Sequence, residues 1–144
     1  MSYKNILVGY DGSDPSKKAL KKAVELSKIM KSDLHIVGVV RPFQFAAVDF
    51  ILPEEIEAYE KEEISKEERF LKEALEIAKE SGIEAKTKVL EGEPAEELMS
   101  YADANGCDLI VVGHRGAGGF KRLILGTTAG NLVKYANQSV LVVK

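Results

Sequence analysis

Gly113, His114, Arg115 and Gly116 follow the apolar run Leu109–Val112, and nine residues later the chain reads Gly126-Thr127. Glycines at a strand end let the backbone turn sharply and come close to a ligand. A Gly-Thr at a helix start offers unpaired backbone N–H groups and a hydroxyl to an anion. The spacing describes a phosphate clamp in two parts, one at each end of a loop.

The surrounding elements must hold those parts in place. Ile6 to Tyr10 is a short β-type run, followed by the turn residues Asp11, Gly12, Ser13 and Asp14. Asp14 is expected to cap a helix, with Pro15 in its first position. Leu20, Ala23, Val24, Ser27 and Met30 then recur at helical spacing. Leu34 to Val40 is a second strand, apolar apart from His35, which is expected to be a core residue with its nitrogens satisfied. Arg41 to Leu52 is irregular and carries Phe43, Phe45 and Phe50. From Pro53 to Ser81 the residues Ile56, Tyr59, Phe70, Leu71, Ala74, Leu75 and Ala78 mark a helix. Ser65 and Glu68 form a capping box at which it is expected to restart. Its Glu- and Lys-rich remainder reads as a solvated face.

Glu84 to Leu90 is a third strand, expected near a sheet edge. Pro94 opens a helix that ends at Asn105-Gly106, and Leu109 to Val112 is the fourth strand. Residues 114 to 125 form a loop. Thr127 to Asn137 reads as a fourth helix with Leu132, Val133 and Ala136 inward, and Val140 to Val143 is the last strand. Strict alternation of strand and helix means βαβ crossovers and a parallel sheet. Near-continuous apolar strands place helices on both faces. One domain spans residues 1–144, with no internal repeat.

Ligands of such sheets bind beyond the carboxyl ends of the strands, where the strand order reverses. If the first and fourth strands are neighbours, Asp11 and Gly113 face each other across that point. Asp11 could then accept hydrogen bonds from a ribose hydroxyl or an adenine amine. Val39 would wall a base. Gly113 and Gly116 would bring backbone N–H groups to phosphate, and Gly126, Thr127 and Thr128 would bind its oxygens. Each has a plainer alternative as a turn, core or cap residue. A P-loop is absent: Gly113 and Gly118 have its separation, but Gly119-Phe120 stands where Lys-Ser/Thr is required. The dinucleotide fingerprint fails too, because Gly116-x-Gly118 meets Lys121.

The totals exclude other classes. Hydrophobic residues make up 45% and charged residues 30% of the 144-residue chain, the balance of a soluble globular protein. A formal net charge of -3 argues against general nucleic-acid binding, which needs a basic face. No apolar run approaches the roughly 20 residues of a membrane span, and Ile6-Leu7-Val8 is too short for a signal peptide. Cys107 is the single cysteine, so a reducing, cytoplasmic setting is expected, with Cys107 a structural thiol.

On these residues the chain resembles the ATP-binding branch of the universal stress protein family. That family's mark is Gly-x2-Gly-x9-Gly-Ser/Thr, matched by Gly113, Gly116, Gly126 and Thr127. The opening Ile6–Ser13, the run Asp108–Gly113 and the close Ser139–Val143 match as well. The resemblance implies a Rossmann-like α/β fold of the adenine nucleotide alpha hydrolase type, an open five-stranded sheet of order 3-2-1-4-5. It implies ATP as ligand, alone or with Mg²⁺ held by its phosphates. Gly9, Tyr10 and Asp11 would face adenine and ribose, and Val39 would pack on the base. Val112, Gly113, Gly116, Gly126, Thr127 and Thr128 would bind ribose and phosphates, with His114 and Arg115 in the same loop. It also implies a homodimer through Val140–Val143, an apolar edge that needs covering. Ala129 departs from the family, which often carries a second hydroxyl there.

Catalysis is less well provided for. Phosphoryl transfer needs in-line positioning and charge stabilisation, usually with Mg²⁺. Arg115, Lys121 and Arg122 could supply charge, and His114 a base or a phosphate contact. Asp11 is the one obvious carboxylate of this site, and no Ser-His-Asp arrangement, paired carboxylates or metal cluster stands out. The reading is an ATP-binding stress regulator or switch with an unknown protein partner. The alternatives are a slow or partner-stimulated ATPase or nucleotide-using enzyme, and a dimeric interaction module that binds no nucleotide.

Overall fold

The computed structural model describes residues 3–43, 51–115 and 125–144. Five strands alternate with four helices. They are β1 (Asn5–Gly9), α1 (Asp14–Met30), β2 (Asp33–Val40), α2 (Pro53–Glu80), β3 (Ala85–Glu91), α3 (Pro94–Ala104), β4 (Leu109–Gly113), α4 (Thr127–Tyr135) and β5 (Ser139–Val143). The strands form one parallel sheet of order β3-β2-β1-β4-β5. The order reverses between β1 and β4, as the resemblance implied.

Alternation along the strands divides the core in two, because successive side chains point to opposite faces. Ile6, Val8, Leu34, Ile36, Leu109 and Val111 face α1 and α2, where Leu20, Val24, Leu71 and Ala74 meet them. Leu7, Val37, Ile110 and Val112 face α3 and α4, where Leu98, Ala102, Ala129 and Leu132 meet them. The Asp108 carboxylate accepts the backbone N–H groups of Lys4 at 3.0 Å and Asn5 at 3.1 Å, tying the start of β4 to β1. Cys107 is buried, and burial and then Asp108 push its thiol up to about 11, which suits an inert structural residue. Among the described residues no helix is long and apolar enough to cross a membrane.

Four local expectations are corrected. The cap of α1 is Ser13, whose Oγ accepts the N–H of Ser16 at 3.3 Å; Asp14 is already helical and lies in the first turn, where a negative charge suits the dipole. The second helix does not restart at Ser65, for α2 runs unbroken from Pro53 to Glu80. Its inner face is continuous through Glu67, Leu71, Ala74 and Ala78, so packing holds Ser65 in the helix. The last helix stops at Tyr135, not Asn137, and Val133 is 55% exposed because Ala129 and Leu132 fill the inward stripe. The third strand lies one residue later than expected. It is indeed an edge, paired to β2 alone, with Lys86 and Lys88 exposed on it.

His35 is the core residue expected, 3% exposed. Its Nδ1 lies 2.8 Å from the Tyr101 hydroxyl and its Nε2 3.2 Å from Asn5 Oδ1. Oδ1 only accepts, so Nε2 carries the proton and Nδ1 accepts from Tyr101. Burial, then Lys86, holds this imidazole below its ordinary pKa of 6.5. The neutral ring's contribution to stability is therefore complete above 6.5, where the unfolded chain is also neutral. It is lost as the pH falls from there toward the folded-state value. In urea unfolding, the stability difference between wild type and His35→Leu should shrink as pH drops below 6.5. A difference constant with pH would show that the ring is not held neutral.

Candidate functional site

A cavity of about 730 Å³ opens at the carboxyl ends of β1, β2 and β4, beside the point where strand order reverses. That volume suits a nucleotide-sized ligand. Gly9, Tyr10 and Asp11 line it from β1 and its turn, and Val39 from β2. Val112 and Gly113 line it from β4, His114 and Arg115 from the residues just after it, and Gly126, Thr127 and Thr128 from the start of α4. Gly116 lies outside the described residues, as do Lys121, Arg122, Phe45 and Phe50.

The two ends of the glycine loop are fastened together. The N–H of Gly126 donates to the His114 carbonyl at 2.9 Å, and the N–H of His114 donates to the Val143 carbonyl at 2.8 Å. Strand β5 thus anchors one end of the loop, and the loop's own first residue anchors the other. Gly126 caps α4 without a side-chain acceptor. The N–H groups of Thr127, Thr128 and Ala129 therefore have no intrahelical partner, and all three residues line the cavity. This arrangement can receive an anion through backbone donors and the helix dipole. Ala129 is 2% exposed and packs with Leu132 in the core, so this position contributes apolar packing where the resemblance leads to the expectation of a hydroxyl.

Asp11 organises its own turn. Its Oδ1 accepts the N–H of Ser13 at 3.0 Å and also the Ser13 hydroxyl. The backbone N–H of Asp11 lies 3.4 Å from Ser16 Oγ, and the N–H of Tyr10 donates to the Val37 carbonyl at 2.9 Å, extending the β1–β2 ladder. The Tyr10 hydroxyl is buried without a hydrogen-bond partner among the described residues. Burial, then Glu73, Glu67 and Asp11, pushes its phenol up to about 12, so it stays neutral. Its ring belongs to the core beneath α1 and α2, which makes Tyr10 as much a floor of the cavity as a contact in it.

Sequence reasoning missed one wall of the cavity. Tyr59, Glu63, Lys66, Glu67 and Phe70 line it from α2, although the sequence pattern marks Tyr59 and Phe70 only as apolar helix positions and Glu63, Lys66 and Glu67 only as part of a solvated face. They fall on one side of the helix and continue its buried stripe toward the N-terminus. A helix of 28 residues is about 42 Å long, whereas the eight residues of β2 span about 26 Å. Since α2 follows β2, the excess must overhang the carboxyl edge of the sheet. That length mismatch was the available signal.

Glu67 is the most unusual of these residues. It is 7% exposed, and its Oε1 is buried with no hydrogen-bond partner among the described residues. The side chain lies flat on Gly38 of β2: a Cβ added there would stand 2.0 Å from Oε1 and 2.5 Å from Cδ. Burial, then Asp11, raises its carboxyl to about 7, with Lys66 opposing and Glu63 reinforcing. Phe70 similarly covers Gly12, whose φ of +80° suits glycine and whose missing Cβ leaves room for the ring.

The universal stress protein family matches this chain over residues 2–144. The chain belongs to that family. Universal stress protein MJ0531 of Methanocaldococcus jannaschii is 37% identical over 144 residues, covering 99% of this chain and 82% of that protein. Universal stress protein YxiE of Bacillus subtilis is 35% identical over 148 residues, covering 99% of each. Among solved structures, a universal stress protein in complex with cAMP superposes with a TM-score of 0.76 at 25% identity, over 100% of this chain and 99% of that one.

Proposed function

We propose that this universal stress protein binds an adenine nucleotide, ATP in the first instance, and acts as a nucleotide-dependent regulator. The observation that carries the reading is the Gly126–His114 hydrogen bond. It holds Gly126 against the residue that follows Gly113, at one end of a nucleotide-sized cavity and beside the open N-terminus of α4. Phosphates would rest on Thr127, Thr128 and Gly126, with His114 and Arg115 nearby. Ribose would meet Asp11, and the base would lie toward Val39 and α2, with Gly9, Tyr10, Gly113 and Val112 framing it. Gly116 would complete the clamp. The cAMP held by a relative of the same fold supports an adenine ligand. Mg²⁺ would enter with the nucleotide, through its phosphates.

The whole chain, residues 1–144, serves as one nucleotide-binding unit. Two copies would pair through β5, whose apolar Val140–Val143 stretch has a neighbour on one side only among the described residues. Slow hydrolysis is the competing activity, and a turnover assay with Mg²⁺ separates it from binding alone.

The deciding experiment is mass spectrometry of whatever the purified protein releases on denaturation, paired with calorimetric titration of the emptied protein with ATP. Retained ATP or ADP, or micromolar ATP affinity, is the expected result. Retained cAMP would move the ligand within the adenine class. A protein that neither retains nor binds a nucleotide would overturn the nucleotide reading and leave a nucleotide-independent interaction module.

A further inference from the structure

The residue left unexplained by the clamp is Glu67. An acid buried without a hydrogen bond costs stability, so its persistence at a cavity wall points to a ligand group that completes it. Its position fixes which part of a nucleotide that would be. Phosphate belongs at the α4 end, and Glu67 stands away from that end: α2 packs on β2 and β3, and Glu67 covers Gly38 of β2 at the same carboxyl edge as Val39, which points to the opposite face of the sheet. This inference rests on the nucleotide reading above.

We propose that Glu67 reads the nucleobase: its buried carboxyl, seated on Gly38 with Oε1 unpartnered among the described residues, pairs with the Watson–Crick edge of the base and sets the preference for adenine over guanine. The terminal torsion of a glutamate is soft, so the carboxyl can turn toward the cavity without moving the helix. A neutral carboxyl carries one O–H donor and one carbonyl acceptor. Adenine presents the complement, an acceptor at N1 and a donor at the exocyclic amine. Guanine presents two donors, at N1 and at its amine, which suit an ionised carboxylate instead. The protonation state of one side chain therefore decides which purine fits.

The groups around Glu67 favour the neutral form near pH 7. From the turn after β1, Asp11 adds negative charge and the un-ionised Tyr10 phenol adds none. From β2, Gly38 adds no charge, and Arg41 lines the same cavity beyond the strand. On α2 itself, Glu63 reinforces protonation and Lys66 opposes it.

The test is the ratio of ATP to GTP affinity, measured by calorimetry between about pH 6 and pH 8, the range in which the carboxyl changes state. Both ligands carry the same triphosphate, so its titration cancels in the ratio. In the wild type the ratio should favour ATP at the acid end and fall about tenfold or more toward the alkaline end. Glu67→Gln offers an amide donor and acceptor at every pH, so its ratio should stay in favour of ATP and become flat. Glu67→Leu should bring the ratio close to one. A wild-type ratio independent of pH would overturn the proposal, even if neither variant folds. So would a Glu67→Leu protein that keeps the wild-type ratio. Binding of both nucleotides without Glu67-dependent discrimination sinks this inference alone, whereas binding of neither sinks the nucleotide reading with it.

Discussion

Gly113→Ala should destabilise the protein by about 1–3 kcal/mol and weaken nucleotide binding, through a backbone collision at the end of β4. A Cβ at Gly113 would lie 2.7 Å from both the carbonyl carbon and the carbonyl oxygen of Pro15, and 2.8 Å from its Cβ. None of these is the tip of a mobile side chain. Pro15 stands in the first turn of α1, held by the Ser13 cap, and Gly113 is paired with Val143 in the sheet. One of the two must move. If α1 moves, the Asp11 turn moves with it; if β4 moves, His114 and its bond to Gly126 move. Both routes disturb the site. Gly130→Ala provides the contrast. Among the described residues its added Cβ meets only Leu125 Cδ2, at 3.7 Å, and a helical alanine should stabilise by about 0.5–1 kcal/mol. Urea unfolding of the two variants should give opposite signs. A Gly113→Ala protein as stable as wild type would show that the approach of α1 to β4 is looser than the geometry indicates.

The same glycine shows how far the sequence could be read. Gly113 stands out in the one-dimensional pattern as a phosphate-turn residue. In the fold, the close backbone of Pro15 already requires a glycine there, with or without a ligand. Sequence pattern detects the absence of a side chain but not what occupies the vacated space. The sheet was legible for the opposite reason. Strands β1, β2 and β4 are buried on both faces, and such strands must be nearly all apolar, which is a local property. The strand order was not local and came through the family resemblance. The α2 wall escaped because Glu63, Lys66 and Glu67 look alike in a charged run. Only the placement of Gly38, 29 residues before Glu67, turns one of these side chains inward. The cap of α1 was misassigned by one residue because Ser13 and Asp14 are both good caps, and the hydrogen bonds that Ser13 donates to the Asp11 carboxylate select between them.

Those bonds also give Asp11 two separable roles, and its variants should divide them. Asp11→Ala removes the acceptor for the Ser13 N–H and hydroxyl, at a cost of about 0.5–1.5 kcal/mol in stability. It also removes the carboxylate proposed for ribose, a charge-assisted contact worth about 1.5–3 kcal/mol, or roughly tenfold to a hundredfold in ATP affinity. Asp11→Asn keeps a carbonyl oxygen where Ser13 needs one, so its unfolding curve should overlay the wild type. Its amide cannot supply the second anionic acceptor, so its affinity should still fall well below wild type in calorimetry. The two measurements therefore part company in Asp11→Asn: stability retained, binding reduced. If that variant instead binds ATP as the wild type does, Asp11 only shapes the turn, and the ribose must be held by another wall of the cavity. Such a result would leave the α4 end of the site unaffected, since the donors of Thr127 and Thr128 depend on the His114–Gly126 fastening and not on the β1 turn.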